Sequence, residues 1–450
     1  MMEWQRLLTR QRLGKLENEK TKTERTCFQQ DYDRIVFSSP FRRLKDKTQV
    51  YSLSQNDYIR TRLTHSVEVS CVGRSLGTMV GEKIIKKYPN LEKNGYTASD
   101  FGNIVSAACL AHDIGNPPFG HAGEEAIQCG FKEWNHITKN KLCELHKKDF
   151  QQFEGNAQGF RILTKLEMRD RDGGMQLTYP TLAAFTKYPR ISSIPEEKLE
   201  NYSGKSSKKY GFFQAEKDIF ARIAETLGLI PYNSSLSWWL RHPLAFLVEA
   251  ADDICYRIVD LEDGYRMGFI SFSEAQNLLN QIAEKKPEKI QENANSDQEI
   301  IKYLRAVTIN KLVEDAAKIF YKVEEDILQG KFDEELLAKS KYNDVLKEIK
   351  QKTKRLVFNA PEVIKVQIAG YEVLSELFIE FANAVLEKDK NGKSKLLFGL
   401  LPEEYHPLDT DDEYNTTLKV TDYISGMTDS YATNLFQTIK GISIKSQNFK

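Results

Sequence analysis

Two histidines and two aspartates lie in three separate hydrophobic segments, and a fold that uses them together must bring those segments to one place. His65 lies in the first segment, the pair His112-Asp113 ends the second, and Asp252 lies in the third. A buried carboxylate is unfavourable unless a cation or hydrogen-bond donors compensate its charge. Imidazole and carboxylate groups together suit a divalent ion such as Mn, Fe, Co, Ni or Mg. The pattern therefore predicts a metal site with coordination positions open to water and substrate.

The residues around the two histidines predict buried helices. The apolar run at residues 104–111 is rich in small side chains, and Gly115 with the prolines that follow it ends the run. After His65, apolar residues recur at steps of three and four, which places His65 on the buried face of another helix. These apolar residues are Val69, Val72, Leu76, Met79 and Val80.

The third segment offers two adjacent aspartates as ligands. Asp252, Tyr256 and Asp260 recur at intervals of four residues, so they share one face of a helix. Asp253 is the alternative ligand, and adjacency alone does not exclude it. The shared face favours Asp252 and leaves Asp253 to support a ligand or cap the helix.

Helical periodicity dominates residues 60–170, 214–286 and 298–390, whereas the alternation typical of β-strands is scarce. These patterns predict an all-α fold with at most one short β-hairpin, near residues 190–213. Polar stretches at residues 201–209 and 285–296 predict loops.

The composition is typical of a cytoplasmic enzyme. Hydrophobic residues make up 40% of the 450-residue chain and charged residues 28%, so a sizeable core can form. No apolar run approaches the roughly 20 residues of a membrane span, and the N-terminus has no signal-peptide core. The six cysteines are scattered, which predicts free thiols. Because the formal net charge is zero, recognition of an anionic ligand would need a local cluster of cations.

His121 and Glu124 form a second candidate pair. They stand three residues apart after Gly120, so on a helix they share a face and the carboxylate can orient the imidazole. A Gly/Pro turn separates His121 from His112, and that turn would fold the pair back over the metal site. The alternative is an ordinary N-terminal helix turn in which His121 faces solvent.

Several long motifs, in order along almost the whole chain, resemble the HD superfamily of metal-dependent phosphohydrolases, and most closely its deoxyguanosine triphosphate triphosphohydrolases. The motifs lie at residues 41–44, 47–50, 62–66, 112–121, 153–158, 182–189, 250–256 and 422–429. The resemblance implies hydrolysis of a deoxynucleoside triphosphate at the α-phosphorus, giving the deoxynucleoside and tripolyphosphate. We expect dGTP as the first substrate to test, other deoxynucleoside triphosphates next, and Mg or Mn as the metal, with Co, Ni or Fe as alternatives.

The resemblance also implies an organisation and partners. We expect an HD catalytic core at residues 1–286, including an N-terminal segment that contacts the nucleotide, and a C-terminal helical region packed on it at residues 287–450. Members of the family form homo-oligomers, often hexamers or tetramers. Single-stranded DNA or a nucleotide is a candidate effector, and no membrane contact is expected.

Each candidate site residue takes a role by its position in these motifs. The implied metal ligands are His65, His112, Asp113 and Asp252, and the implied acid–base pair is His121 with Glu124. The implied phosphate contacts are Arg62, Asn156, Lys187, Tyr188 and Lys209. The implied sugar contacts are Gln49, Tyr256 and Asp260, with the ring of Tyr256 closing against C2′ and the other two binding the 3′-hydroxyl.

Two sets of alternatives stay open. Lysine is almost never fully buried, so these lysines are also compatible with an ordinary charged surface, and neighbouring Lys205 and Lys208 leave the register of Lys209 undetermined. For the function, the alternatives are another HD nucleotide phosphohydrolase, or a nucleotide-sensing or single-stranded DNA-binding module. Neutral net charge weighs against a protein that primarily binds DNA.

Overall fold

The computed structural model describes residues 1–15, 25–49, 60–138, 141–387 and 392–443. It is 69% helical, which confirms the all-α prediction. The α-helices are α1 (Trp4–Leu7), α2 (Cys27–Val36), α3 (Ser39–Arg43), α4 (Arg62–Lys87), α5 (Asn90–Lys93), α6 (Ala98–Ala111), α7 (His121–Thr138), α8 (Glu144–Gln151), α9 (Gly155–Arg161), α10 (Tyr179–Phe185), α11 (Glu196–Glu200), α12 (Lys217–Leu227), α13 (Ala245–Arg266), α14 (Phe272–Ala283), α15 (Pro287–Gln291), α16 (Asp297–Leu328), α17 (Asn343–Thr353), α18 (Pro361–Leu386), α19 (Gly392–Leu400), α20 (Glu413–Gly426) and α21 (Asp429–Ile439). The strands are β1 (Pro231–Asn233) and β2 (Trp238–Trp239).

The two helices that carry the histidines pack closely along their length. The side chain of Thr61 accepts from the backbone nitrogen of Thr64 in α4, and the backbone nitrogen of Thr97 donates to the side chain of Asp100 in α6. These caps fix where each helix begins. A Cβ on Gly77 of α4 would lie only 2.7 Å from the carbonyl oxygen of Phe101 in α6. The absence of a side chain there allows the two backbones to approach, and the approach brings His65 and His112 to the same end of the pair.

The buried apolar side chains form two clusters. The first is built mainly from α2, α4, α6, α13, α14 and α16. The second joins α7 and α8 to α18 and α20 near the C-terminus. The proposed division between residues 286 and 287 stays a prediction. All six cysteines are free thiols, as the sequence predicts. No helix in the described part of the chain is both long enough and apolar enough to span a membrane.

The hairpin forms later in the chain than the sequence suggests. β1 pairs with β2 in an antiparallel, irregular register, whereas residues 190–213 contain α11, a 3₁₀ turn at Lys205–Ser207 and one isolated bridge from Arg190 to Trp238. The Trp238 ring packs on Tyr232, with 4.5 Å between ring centroids, and this contact supports the hairpin. The predicted loop at residues 285–296 also contains a short helix, α15, which Pro287 begins.

Candidate active site

The two histidines and two aspartates meet at one point. Single ligand atoms of His65, His112 and Asp113 all lie within 4.8 Å of one another. Asp252 Oδ1 is 3.3 Å from His65 Nε2 and 3.4 Å from His112 Nε2. His112 Nδ1 lies 2.7 Å from the carbonyl oxygen of Cys109, so Nδ1 donates and Nε2 keeps its lone pair for a ligand.

Three elements present these four side chains. His65 lies in the first turn of α4, His112 caps the end of α6, and Asp252 lies in the second turn of α13. Beyond His112 the chain turns at Gly115, where a Cβ would lie 2.1 Å from the backbone nitrogen of Gly159. The turn therefore sits directly on α9.

The charges in this cluster suit a divalent cation. Burial opposes ionisation of Asp113, yet His112 and the Arg62 guanidinium hold its pKa well below the usual range. The pKa of Asp252 is lowered as well, because Lys187 and His112 outweigh its burial. Burial lowers the pKa of His112, which favours the neutral imidazole that binds metal. Two carboxylates and two imidazole nitrogens thus form a donor set that fits a divalent ion.

The geometry favours Asp252 over Asp253 as the ligand. Asp253 Oδ2 is held 3.1 Å from an Arg257 nitrogen one turn along α13, and Asp253 does not line the pocket described below. Burial raises the pKa of Asp253 to about 7, so its carboxyl is less readily ionised than that of Asp252.

One pocket contains nearly all of the predicted site. Every predicted site residue except Glu124 and Asp260 lines it. Glu124 reaches the pocket through His121, and Asp260 is buried two turns beyond Asp252 on α13. Two carbonyl or carboxyl oxygens, Gln49 Oε1 and Asp260 Oδ2, are buried without a hydrogen-bond partner among the described residues. Burial raises the pKa of Asp260 to about 8.

The predicted acid–base pair forms at the start of α7. His121 Nδ1 is 2.8 Å from Glu124 Oε2, and the backbone nitrogen of Gly155 donates to Glu124 Oε1 at 2.7 Å. The hydrogen bond with Glu124 raises the pKa of His121. Burial opposes ionisation of Glu124, but His121 and Lys209 hold its pKa below the usual value. The imidazole itself is exposed and lines the pocket.

Two of the predicted phosphate-binding cations contact the His-Asp cluster, and the third lines the same pocket. An Arg62 nitrogen lies 2.8 Å from Asp113 Oδ2, and Lys187 Nζ lies 2.8 Å from Asp252 Oδ2. Lys209 Nζ pairs with Glu154 at 2.9 Å. The sequence left open which of Lys205, Lys208 and Lys209 faces the site. Lys209 lines the pocket, whereas Lys205 Nζ lies 3.6 Å from Glu335, so the geometry favours Lys209.

Comparison with known proteins agrees with this architecture. Residues 62–170 match the HD domain and residues 336–438 match the phosphohydrolase-associated domain. A "deoxyguanosinetriphosphate triphosphohydrolase-like protein" of Synechocystis sp. is 55% identical over 98% of this chain and 100% of its own. The chain therefore belongs to the deoxyguanosinetriphosphate triphosphohydrolase-like family of HD-domain proteins.

Other members of the family match over most of their length as well. A protein of the same description from Pseudomonas aeruginosa is 39% identical over 99% of this chain and all of its own. A "deoxyguanosinetriphosphate triphosphohydrolase" of Klebsiella pneumoniae is 32% identical over 92% of this chain and 94% of its own. HD-domain membership supports a metal-dependent phosphohydrolase, in agreement with the His-Asp cluster.

Sequence reasoning missed several residues of this HD-family pocket. Glu154 accepts from Asn156 and Lys209 and so holds two predicted phosphate contacts together. The residues Thr48, Asn116, Phe119, Phe358, Val363, Val366 and Gln367 also line the pocket. Phe358 stacks on Tyr256 with 5.5 Å between ring centroids. The sequence could have indicated Thr48, Asn116, Phe119 and Glu154, because they lie inside the recognised motifs. Phe358, Val363, Val366 and Gln367 lie in an apolar helical stretch with no distinguishing pattern.

Proposed function

We propose that this HD-family protein hydrolyses deoxynucleoside triphosphates, dGTP first among them, to the deoxynucleoside and tripolyphosphate. The observation that carries the proposal is one pocket lined by the His-Asp cluster, three cations, His121 of the acid–base pair and Gln49, whose amide oxygen is buried. Each feature would bind or act on one part of the substrate: the phosphates, the scissile bond or the sugar.

His65, His112, Asp113 and Asp252 would hold the divalent metal. Mg and Mn are the first candidates, and Co, Ni and Fe also suit the donor set. When bound, such an ion supplies Lewis-acid polarisation of a phosphoryl oxygen and lowers the pKa of water.

Arg62, Lys187 and Lys209 would bind the triphosphate. Each cation is already fixed by a carboxylate, so its position is set before substrate arrives and little reorganisation is needed. The side chains of Asn156 and Tyr188 lie in the same wall and would donate hydrogen bonds to phosphate oxygens.

His121 would protonate the leaving group. Water attacks the α-phosphorus, the bond from phosphorus to the 5′-oxygen breaks, and His121 Nε2 gives its proton to that oxygen while the proton of the water passes to solvent. The hydrogen bond with Glu124 raises the pKa of His121, which favours the protonated form that can donate, and Glu124 fixes the ring through Nδ1.

Tyr256 would select the sugar. Its ring is fixed by stacking on Phe358, so a 2′-hydroxyl would clash with a ring that cannot move aside. Gln49 Oε1 lacks a partner in the described structure and is suited to accept the 3′-hydroxyl proton. Asp260, buried one turn beyond Tyr256, is the second candidate for that hydroxyl. Homo-oligomer formation, a single-stranded DNA or nucleotide effector and a cytoplasmic location stay predictions.

Product analysis tests the proposal. Metal-loaded protein is incubated with each deoxynucleoside triphosphate, and tripolyphosphate is resolved from pyrophosphate and phosphate. We expect equal amounts of tripolyphosphate and deoxynucleoside. Phosphate or pyrophosphate as the primary product would instead identify another HD nucleotide phosphohydrolase, and binding without any product would identify a sensor.

Matched substrates test the sugar contacts. We expect kcat/KM to be much higher for deoxy than for ribo substrates, and the 2′,3′-dideoxy form to lose roughly ten- to hundred-fold. The variant Tyr256→Ala should relax toward ribonucleotides, whereas Tyr265→Ala on the same helix, away from the pocket lining, should not. Equal rates on deoxy and ribo forms in the unmodified protein would contradict the role of Tyr256.

A further inference from the structure

One carboxylate from the C-terminal region joins two segments of the pocket. Asp429, only 1% exposed, accepts from Thr48 through Oδ2, at 3.1 Å from the backbone nitrogen and 2.7 Å from the hydroxyl. Its Oδ1 accepts from the backbone nitrogen of Phe119 at 3.0 Å. Asp429 ends the motif at residues 422–429, to which the reaction as proposed gives no role.

Both segments carry residues of the proposed reaction. Thr48 directly precedes Gln49, the proposed partner of the 3′-hydroxyl. Phe119 precedes Gly120 and His121, and its φ of 61° lies in the left-handed region, which is strained for a residue with a side chain. A strained residue persists only where its surroundings hold it.

The C-terminal helices surround this turn on other sides too. A Cβ on Gly370 of α18 would lie 2.7 Å from the Phe119 ring, so α18 packs directly on that side chain. Lys47 Nζ donates to the carbonyl oxygens of Ser425 at 2.7 Å and of Asn116 at 2.6 Å. Lys47 therefore joins Asn116 to Ser425 directly, and Asp429 joins Thr48 to Phe119.

We propose that Asp429 is a positioning residue that sets Gln49 against the sugar and the His121 turn against the scissile bond. The inference rests on the proposed function, since it gives Asp429 an effect on the 3′-hydroxyl contact. It assigns to the C-terminal region a share in recognising the sugar, although that region supplies no metal ligand.

The chemistry of the carboxylate makes the variant Asp429→Asn informative. Both oxygens of Asp429 accept, and donors of Thr48 and Phe119 in the described part of the chain converge on them. An asparagine side chain of the same shape has one accepting oxygen and one donating nitrogen. It would leave either the Phe119 or the Thr48 amide without an acceptor while preserving volume.

The experiment measures kcat and KM on deoxy and 2′,3′-dideoxy substrates for Gln49→Ala, Asp429→Asn and the double variant. We expect Asp429→Asn to reduce the preference for the deoxy form by roughly tenfold with metal content unchanged. In the double variant the preference should fall no further than in Gln49→Ala, because both changes act through one contact. Thr48→Val should resemble Asp429→Asn, and Thr48→Ser should restore the preference.

The control variant is Asp412→Asn. Asp412 accepts from the backbone nitrogen of Asn415 at the start of α20, is exposed and lies outside the pocket, so it matches Asp429 as an acid at a helix start. The preference of Asp412→Asn for deoxy over 2′,3′-dideoxy substrates should equal that of the unmodified protein. If Asp429→Asn does not fold, Thr48→Val carries the test, because it removes one hydrogen bond and leaves Asp429 on Phe119.

The variants separate failure of this inference from failure of the proposed function. If Gln49→Ala loses the preference while Asp429→Asn and Thr48→Val keep it, Asp429 is not a positioning residue and the proposed function stands. If Gln49→Ala keeps the preference, the sugar contact of the proposed function is wrong and this inference is overturned with it. Additive losses in the double variant would also overturn it.

Discussion

The adjacent residues Asp252 and Asp253 offer a matched test of the metal site. Asp252 lies between the two histidines and Lys187, whereas Asp253 pairs with Arg257. We expect Asp252→Asn to lower both the metal content, measured by elemental analysis, and the activity. Asp253→Asn should retain the metal. Equal metal loss in the two variants would remove the distinction between them.

The His121–Glu124 pair makes the pH profile of kcat informative. The hydrogen bond with Glu124 raises the pKa of His121 above 6.5. If His121 is the proton donor, kcat falls as pH rises through that pKa, and Glu124→Gln moves this alkaline limb to lower pH because it removes the stabilising carboxylate.

The neighbouring exposed acid provides the control for that profile. Glu125→Gln should leave both limbs in place. His121→Ala should lose roughly 10²–10⁴-fold in kcat while it keeps the metal. A shift of the acidic limb in Glu124→Gln would identify His121 as a base instead, and an unchanged profile would contradict any catalytic role of the pair.

For individual residues, the sequence was most informative where the chemistry of the site restricts the residue type. Histidines and aspartates in apolar segments predicted which side chains would meet, as at His65 and Asp252. The choice among Lys205, Lys208 and Lys209 could not be made, because neighbouring lysines on a turn differ only in direction. Gln367 was missed because an exposed glutamine on an apolar helix has no pattern of its own.

Among the elements, the turn after α6 is sensitive to one added methyl group. A Cβ on Gly115 would lie 2.1 Å from Gly159 N and 2.2 Å from Gly155 O, and backbone atoms cannot move aside cheaply. We expect Gly115→Ala to lower the free energy of unfolding by about 3 kcal/mol or more, measured in urea.

Gly399 in α19 is the matched position, because nothing lies within 4 Å of the Cβ it would gain. There alanine should stabilise the protein by up to about 1 kcal/mol. Similar effects of the two substitutions would show that α9 does not pack against the turn as closely as the structure has it.

Long helices were predictable and short elements were not. The position of α4 follows from apolar steps of three and four, that of α6 from the apolar run at residues 104–111, and that of α13 from Asp252, Tyr256 and Asp260 at intervals of four. Strands β1 and β2 have three and two residues, too few to show alternation. Helix α15 was hidden in a polar stretch because only Ile290 of its residues is buried.

Across the whole molecule, a buried ion cluster ties the HD domain to the C-terminal helices. Arg161 of α9 pairs with Asp422 of α20 at 2.9 Å and with Glu216 at 2.6 Å. We expect Arg161→Met to lower the free energy of unfolding by roughly 3–5 kcal/mol at neutral pH, because two buried carboxylates lose the cation that neutralises them. Denaturant unfolding of the full chain measures this loss.

The pH dependence of the loss has a definite sign. Burial raises the pKa of Glu216, so without Arg161 this acid should take up a proton as pH falls, and the loss should shrink at mildly acidic pH. Exposed Arg222→Met should change stability by no more than about 0.5 kcal/mol. A loss independent of pH would show that packing, rather than charge, accounts for the effect.

The end-to-end motifs predicted the family and the helical fold. They could not show how the C-terminal helices sit on the pocket, because contacts between Asp429 and Thr48 span 381 residues and follow from tertiary packing alone.

The pocket wall formed by Phe358, Val363, Val366 and Gln367 comes from a different part of the chain than the metal ligands, all of which lie before α14. None of these four residues belongs to the proposed metal ligands, acid–base pair or phosphate contacts, and only Phe358 stacks on a proposed sugar contact, Tyr256. We therefore expect that, among descendants of one ancestral gene, substitutions at Val363, Val366 and Gln367 of α18 can change which nucleotide is accepted while the proposed hydrolytic groups are inherited unchanged.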